Sequence, residues 1–219
     1  MKKRNRLNNL QDKLLRAFVS KNRLLYLKLS RSIVNMLSGD NVDVENIDKE
    51  LNKEITILTK EQGELIKDAL SLAYIYINKD RKKAFKVLNE NWNELNYTER
   101  LYKDKIKLKK ILIKEISRGL KNKDDNEEII KRVSRRLDIS INNAKRLVNT
   151  EMTAVINRAE LDKGLNKGKT RFRFVATIDA RTSEVCKDMN DKVFNIEDYK
   201  IGVNVGPLHP NCRSRIEVF

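Results

Sequence analysis

Proline, histidine and tryptophan are almost missing from this sequence, which has two prolines, one histidine and one tryptophan in 219 residues, with seven glycines and two cysteines. From Met1 to about Lys167 there is no proline and there are only four glycines, so little in that stretch interrupts a helical backbone. Aromatic residues make up 6% of the chain, which leaves no aromatic-rich face of the kind on which single-stranded bases stack. No window approaches the roughly eighteen consecutive apolar residues of a membrane-spanning helix, and the best run, ALSLAYIYI, is about half that length. The basic start, MKKRNRLNNLQDKLL, continues with Asn and Gln where a secretory leader requires an apolar run, so no secretion is expected. Two cysteines in a cytosolic product point to reduced thiols, a metal pair or inert burial before a disulfide framework.

What is abundant is charge. Lys and Arg number 47 against 31 Asp and Glu, a net +16, which makes an acidic partner such as DNA a natural expectation. The excess is interleaved with acidic residues and forms no basic tail, so it implies phosphate contacts rather than sequence reading. An apolar content of 40% suffices for a core, and 36% charged residues implies much solvated helix surface.

The apolar period predicts a mainly α fold with a small C-terminal α+β domain: long helices followed by a short mixed sheet. A first helix over about 5–37 carries Leu7, Leu10, Leu14, Ala17, Phe18 and Leu25 on one face and stops at SGDN. Helix-forming acidic sequence follows to about Lys53. A second helix over 57–78 buries Leu65, Ile66, Ala69, Leu72, Ala73 and Tyr76, and NELNYTER separates it from a third over 98–121 with Leu101, Leu108, Ile111, Leu112 and Ile116 inward. Asp125, with Glu128 three residues on, reads as the N-cap of a short helix. A further helix is expected from an N-cap at Ser140 to a stop at Gly164, with Ala144, Leu147, Val148, Met152, Val155 and Ala159 as its stripe. At about 100° per residue, Glu151 falls inside that stripe and Arg158 at its edge.

After Gly168 the period becomes two. RFRFVATI alternates Phe172, Phe174 and Ala176 against Arg171, Arg173 and Val175, and DKVFNI and RSRIEVF are expected as further short strands. The domain organisation expected is 1–97, an N-terminal helical region, and 98–219, with helices over 98–164 and a strand-containing unit over 169–219. GPLHPNCRS, residues 206–214, gathers both prolines, the histidine and one cysteine. Cys186, His209 and Cys212 therefore form the candidate metal constellation, a distant thiol followed by His-x2-Cys in a proline-fixed turn. Three ligands are one short of a closed structural zinc site, leaving Asp179, Asp188 or a water as fourth, so no stoichiometric zinc is expected. A nucleophile–base pairing of His209 with either cysteine, or a hydrolytic pair with Asp179, is the alternative for the same residues. Glu151 is expected to pair with Arg181, Arg213 or Arg158.

The ordered set NTEMTAVINRAEL, ATIDARTSEVCKDMNDKVF and GPLHPNCRSRIEV resembles the C-terminal domain of the phage Mu F-like minor head proteins, a head-morphogenesis family of tailed phages and prophages. The resemblance covers residues from about 98 to 219 and is most specific from Asn149 onward. Residue by residue, Glu151 matches the family's Thr-Glu, and Asp179, Arg181 and Thr182 match its Asp-x-Arg-Thr. Cys186 matches the second cysteine of a Cys-x2-Cys, with Ser183 where the first would stand. His209, Pro210, Asn211, Cys212 and Arg213 match His-Pro-Asn-Cys-Arg, with Ser214 in place of a final cysteine. Asp191 and Gly206 also depart from the pattern, replacing a glycine and the first of two prolines. The resemblance implies a minor capsid protein, present in few copies inside the head, bound to the portal and to capsid or scaffold protein and in contact with packaged DNA, without a membrane. It would occupy the host cytoplasm during assembly and the virion afterwards. The proline-rich turn then acts as a clasp that brings Cys212 and Arg213 back to the core and to Glu151 or Asp179. The competing function is a nuclease, hydrolase or phage-derived toxin using His209; no effector domain is expected after Phe219, which disfavours the toxin. A free DNA-binding protein is disfavoured by the lack of a reader helix.

Overall fold

The computed structural model describes residues 2–39, 42–92 and 94–219. The expected helix stop at SGDN and the break at NELNYTER include Asp40, Asn41 and Asn93, which lie outside the described residues. Helices α1 (Lys2–Leu37), α2 (Val44–Asn78), α3 (Arg81–Leu88), α4 (Tyr97–Asn122) and α5 (Asn126–Leu165) precede β1 (Arg171–Val175), α6 (Glu184–Met189), β2 (Val193–Asn195) and β3 (Arg215–Val218). The fold is therefore mainly α with a small C-terminal sheet. β1 lies between β2 and β3 and both pairings are antiparallel, so the sheet is not mixed as the sequence reading has it.

Two expected breaks are absent. α2 runs unbroken from Val44 because Leu51, Ile55 and Leu58 continue one buried stripe across the supposed gap. α5 runs unbroken through Ser140, whose hydroxyl is not a cap but sits 2.6 Å from that of buried Tyr26. Asp125 does cap α5, accepting the Glu128 amide at 2.8 Å. The helix ends not at Gly164 but beyond it, where Gly168 at φ 68° is the left-handed residue of a Schellman turn: the Lys169 amide donates to the Gly164 carbonyl and the Gly168 amide to that of Leu165. α3 was not anticipated, although Asp80 caps it by accepting the Lys83 amide.

The residues group into two compact units, each drawn from both halves of the sequence: 17–65 with 98–145, and 1–16 with 66–97 and 146–219. In the first, four helical segments share one apolar core. Tyr26, Leu29, Ile33 and Leu37 of α1, Ile47, Leu51, Ile55 and Leu58 of α2, Leu108, Leu112 and Ile116 of α4, and Ile129, Val133 and Leu137 of α5 meet at spacings of three and four. Ala17 and Ile111, expected inside, are exposed: the α1 stripe runs through Phe18, Asn22 and Tyr26, and that of α4 through Leu108, Leu112 and Ile116. A polar layer crosses this core: Gln62 donates to Asn22, and Lys105 Nζ donates to the Tyr26 hydroxyl while lying 4.9 Å from its ring centre.

In the second unit, the inner face of the sheet packs on α5. Phe172 stacks on Phe194 at 5.5 Å between ring centres and joins Leu161, Val205 and Ile216. Phe174 and Ala176 pack with Cys186 and Cys212. Gly164 permits the approach of β3, because a Cβ there would overlap Val218. The α2 face in this unit is Ile66, Ala69, Leu70, Ala73, Tyr74 and Ile77, whereas Leu72 and Tyr76, expected inside, point to solvent.

Candidate functional site

The 206–214 turn is fastened to α5 by a ladder of small polar residues. Asn149, Thr153 and Asn157 stand at i, i+4 and i+8, with Thr150 beside them, and so project on one side of the helix. Asn149 Nδ2 donates to Asn211 Oδ1 at 3.1 Å, and the Asn211 amide donates to Thr150 Oγ1 at 3.0 Å. Thr153 Oγ1 donates to the Cys212 carbonyl at 2.7 Å. Asn157, with 0% exposure, donates to the carbonyls of Gly206 at 2.8 Å and Ser214 at 3.1 Å and accepts the Ile216 amide at 3.2 Å. From spacing alone, only Glu151 and Arg158 stand out among the polar residues of this helix. The missed signal is the four-residue repeat of short polar side chains inside an apolar stripe. Arg215, equally unanticipated, is buried against Gln11 and Thr153, and burial lowers its guanidinium to about 10.

The turn and α6 bring three ligand-type side chains to one point. Cys186 on α6, His209 and Cys212 have sulfur and ring-nitrogen atoms within 4.8 Å of one another. Cys186 Sγ is 3.3 Å from His209 Nε2 and 3.7 Å from Cys212 Sγ, and the Ser214 hydroxyl donates to Cys186 Sγ at 3.3 Å. His209 Nδ1 lies 2.9 Å from the Pro210 carbonyl. A carbonyl only accepts, so Nδ1 carries the proton and the Nε2 lone pair faces the sulfurs. Both cysteines are buried and unbridged, and burial pushes the Cys186 thiol up against the opposing effect of the Ser183 and Ser214 hydroxyls.

The Asp-x-Arg-Thr segment forms a second cluster. Arg213 clasps Asp179 with two bonds of 2.6 and 2.7 Å, the Arg181 amide donates to Asp179 Oδ1, and the Asp179 amide donates to Thr182 Oγ1. The Arg213 bond, with that amide behind it, holds the Asp179 carboxyl well below its ordinary range. Among the described residues the cysteine–histidine cluster includes no carboxylate; Asp179 is engaged by Arg213 and Asp188 is exposed on α6. Arg181 contributes its backbone here and its side chain is exposed.

Glu151, 4% exposed, accepts from Trp92 Nε1 at 2.9 Å. Arg158 pairs with Glu90 at 2.7 Å and with Asp162 at 3.3 Å. Asp162 also accepts from the Tyr74 hydroxyl at 2.6 Å and from Lys83 at 3.0 Å. The spacing places Arg158 at the stripe edge but does not show its partners, Glu90 after α3 and Asp162 one turn on in α5, nor Tyr74 of α2 and Lys83 of α3, which meet Asp162.

A helix carrying a polar ladder, a three-stranded sheet and a clasped terminal turn define a structural domain built around one non-helical knot. Residues 109–217, about half of the chain, match the family model of "Phage Mu protein F like protein", and over that stretch the chain belongs to this family. No curated protein and no solved structure matches the chain.

Proposed function

We propose that this chain is a minor head protein of a tailed phage or prophage, carried inside the capsid, attached to the portal and to capsid or scaffold protein, and touching packaged DNA without reading its sequence. The observation that carries this reading is the family match over residues 109–217. The net +16 supports contact with DNA phosphates. No helix among the described residues is long and apolar enough to cross a membrane.

We read the domain as non-enzymatic. An activated cysteine requires a lowered pKa, whereas burial raises that of Cys186. His209 turns its lone pair toward Cys186 and its proton toward Pro210, and Asp179 is taken up by Arg213 rather than by the histidine. The hydrolytic pair of His209 with Asp179 is therefore not assembled, and the Cys186–His209 pair, although 3.3 Å apart, holds a buried thiol that is not activated.

Sedimentation of the purified chain with portal oligomers of the same phage tests the reading. The chain is expected to travel with the oligomer at physiological salt, and to bind unrelated DNA duplexes only weakly, at about 10⁻⁴ to 10⁻⁶ M, with steep loss as salt rises. A chain that stays free of the portal but binds one DNA sequence tightly contradicts it.

A further inference from the structure

We propose that Cys186 Sγ, Cys212 Sγ and His209 Nε2 bind one zinc ion, with a water at the fourth position, and that this ion locks the terminal turn to α6. The geometry is that of ligands sharing a centre. Two sulfurs each about 2.3 Å from one ion in tetrahedral array lie about 3.8 Å apart, and sulfur and imidazole nitrogen about 3.5 Å apart. The separations found are 3.7 Å for the two sulfurs and 3.3 Å for Cys186 Sγ to His209 Nε2. With all three ligand atoms within 4.8 Å of one another, three lone-pair-bearing atoms thus converge from two places in the chain, α6 and the terminal turn.

Two outer contacts are those a zinc site requires. The Nδ1–H bond to the Pro210 carbonyl fixes the ring in the tautomer whose Nε2 is free to ligate. The Ser214 hydroxyl donates to Cys186 Sγ, which suits a thiolate better than a thiol. Three protein ligands leave the fourth position to a water, which could reach the ion past the half-buried histidine. Thiolate and imidazole together favour zinc over magnesium or calcium. The ion would tie α6 to the turn, and its binding free energy would add to the stability of the fold.

The full chain, purified under reducing conditions without chelator, is expected to carry about one zinc per molecule. After chelation, cobalt(II) titration should raise a thiolate-to-cobalt charge-transfer absorption that saturates at one equivalent and is abolished by zinc. C186S and C212S should each lose most of that absorption, and H209Q should weaken cobalt binding at least tenfold. Because a variant can fail by misfolding, the wild-type chain supplies an independent readout: zinc should slow alkylation of both cysteines, and chelator should restore it. A folded wild-type chain with no charge-transfer band, alkylation indifferent to zinc, or a Cys186–Cys212 disulfide in the reduced preparation would each overturn the proposal.

Discussion

Asn157 is the side chain on which the terminal turn depends most, because one buried amide serves two carbonyls and one amide of the 206–216 segment. Replacing it by alanine strands those three groups away from water, and buried polar groups without partners are costly. Asn157→Ala is expected to lose about 2–4 kcal/mol of unfolding free energy. Urea denaturation checks this, and a loss below about 0.5 kcal/mol would mean that water replaces the amide. Lys105 gives a prediction of opposite sign. Burial lowers its ammonium to about 8 from 10.5, with nearby Asp104 opposing. Between those values the unfolded chain binds more protons than the folded one, so this group makes stability rise with pH across that window. Lys105→Met is therefore expected to be more stable than the parent at pH 7 by about 1–3 kcal/mol. The advantage should shrink as pH rises from 8 to 10.5. A difference constant in pH would show that the lysine is not desolvated.

At the scale of elements, α5 carries both the ladder for the turn and the contact for β3, and Gly164 sets the second. A Cβ there meets the Val218 side chain, so Gly164→Ala should cost about 1–3 kcal/mol despite the higher helix propensity of alanine. Adding Val218→Ala should recover part of that loss, a coupling that thermal melts of the single and double variants measure; strict additivity would place the strain elsewhere. The same helix marks how far the sequence was legible. Its apolar stripe from Ala144 to Ala159 and the Asp125 cap depend on local spacing and could be read directly. So could the alternation in β1 that buries Phe172 and Phe174. Its continuity through Ser140 could not, because a serine hydroxyl looks like a cap until Tyr26, 114 residues away, is known to be its partner. Leu72 and Tyr76 of α2 were misplaced for a related reason: periodicity allows two adjacent faces, and only tertiary packing chooses the one through Leu70, Tyr74 and Ile77. In the candidate site, the rarity of proline, histidine and cysteine marked the turn. Nothing local indicated that Arg213 would choose Asp179, or that Asn157 would hold the turn in place.

For the whole molecule, the proposed role of this basic chain with its F-like domain over residues 109–217 would require only weak phosphate binding, since DNA packed in a head would be concentrated around a protein held there by protein contacts. The most direct test is quantitative peptide mass spectrometry of purified, nuclease-treated, DNA-filled heads from the phage or induced prophage that encodes the chain. Peptides from α5 and from the 206–214 turn are expected in the heads, at far lower copy than the major capsid protein, and protected from external protease until the head is opened. Their absence from filled heads, with the chain recovered only from the host lysate, would contradict a virion role.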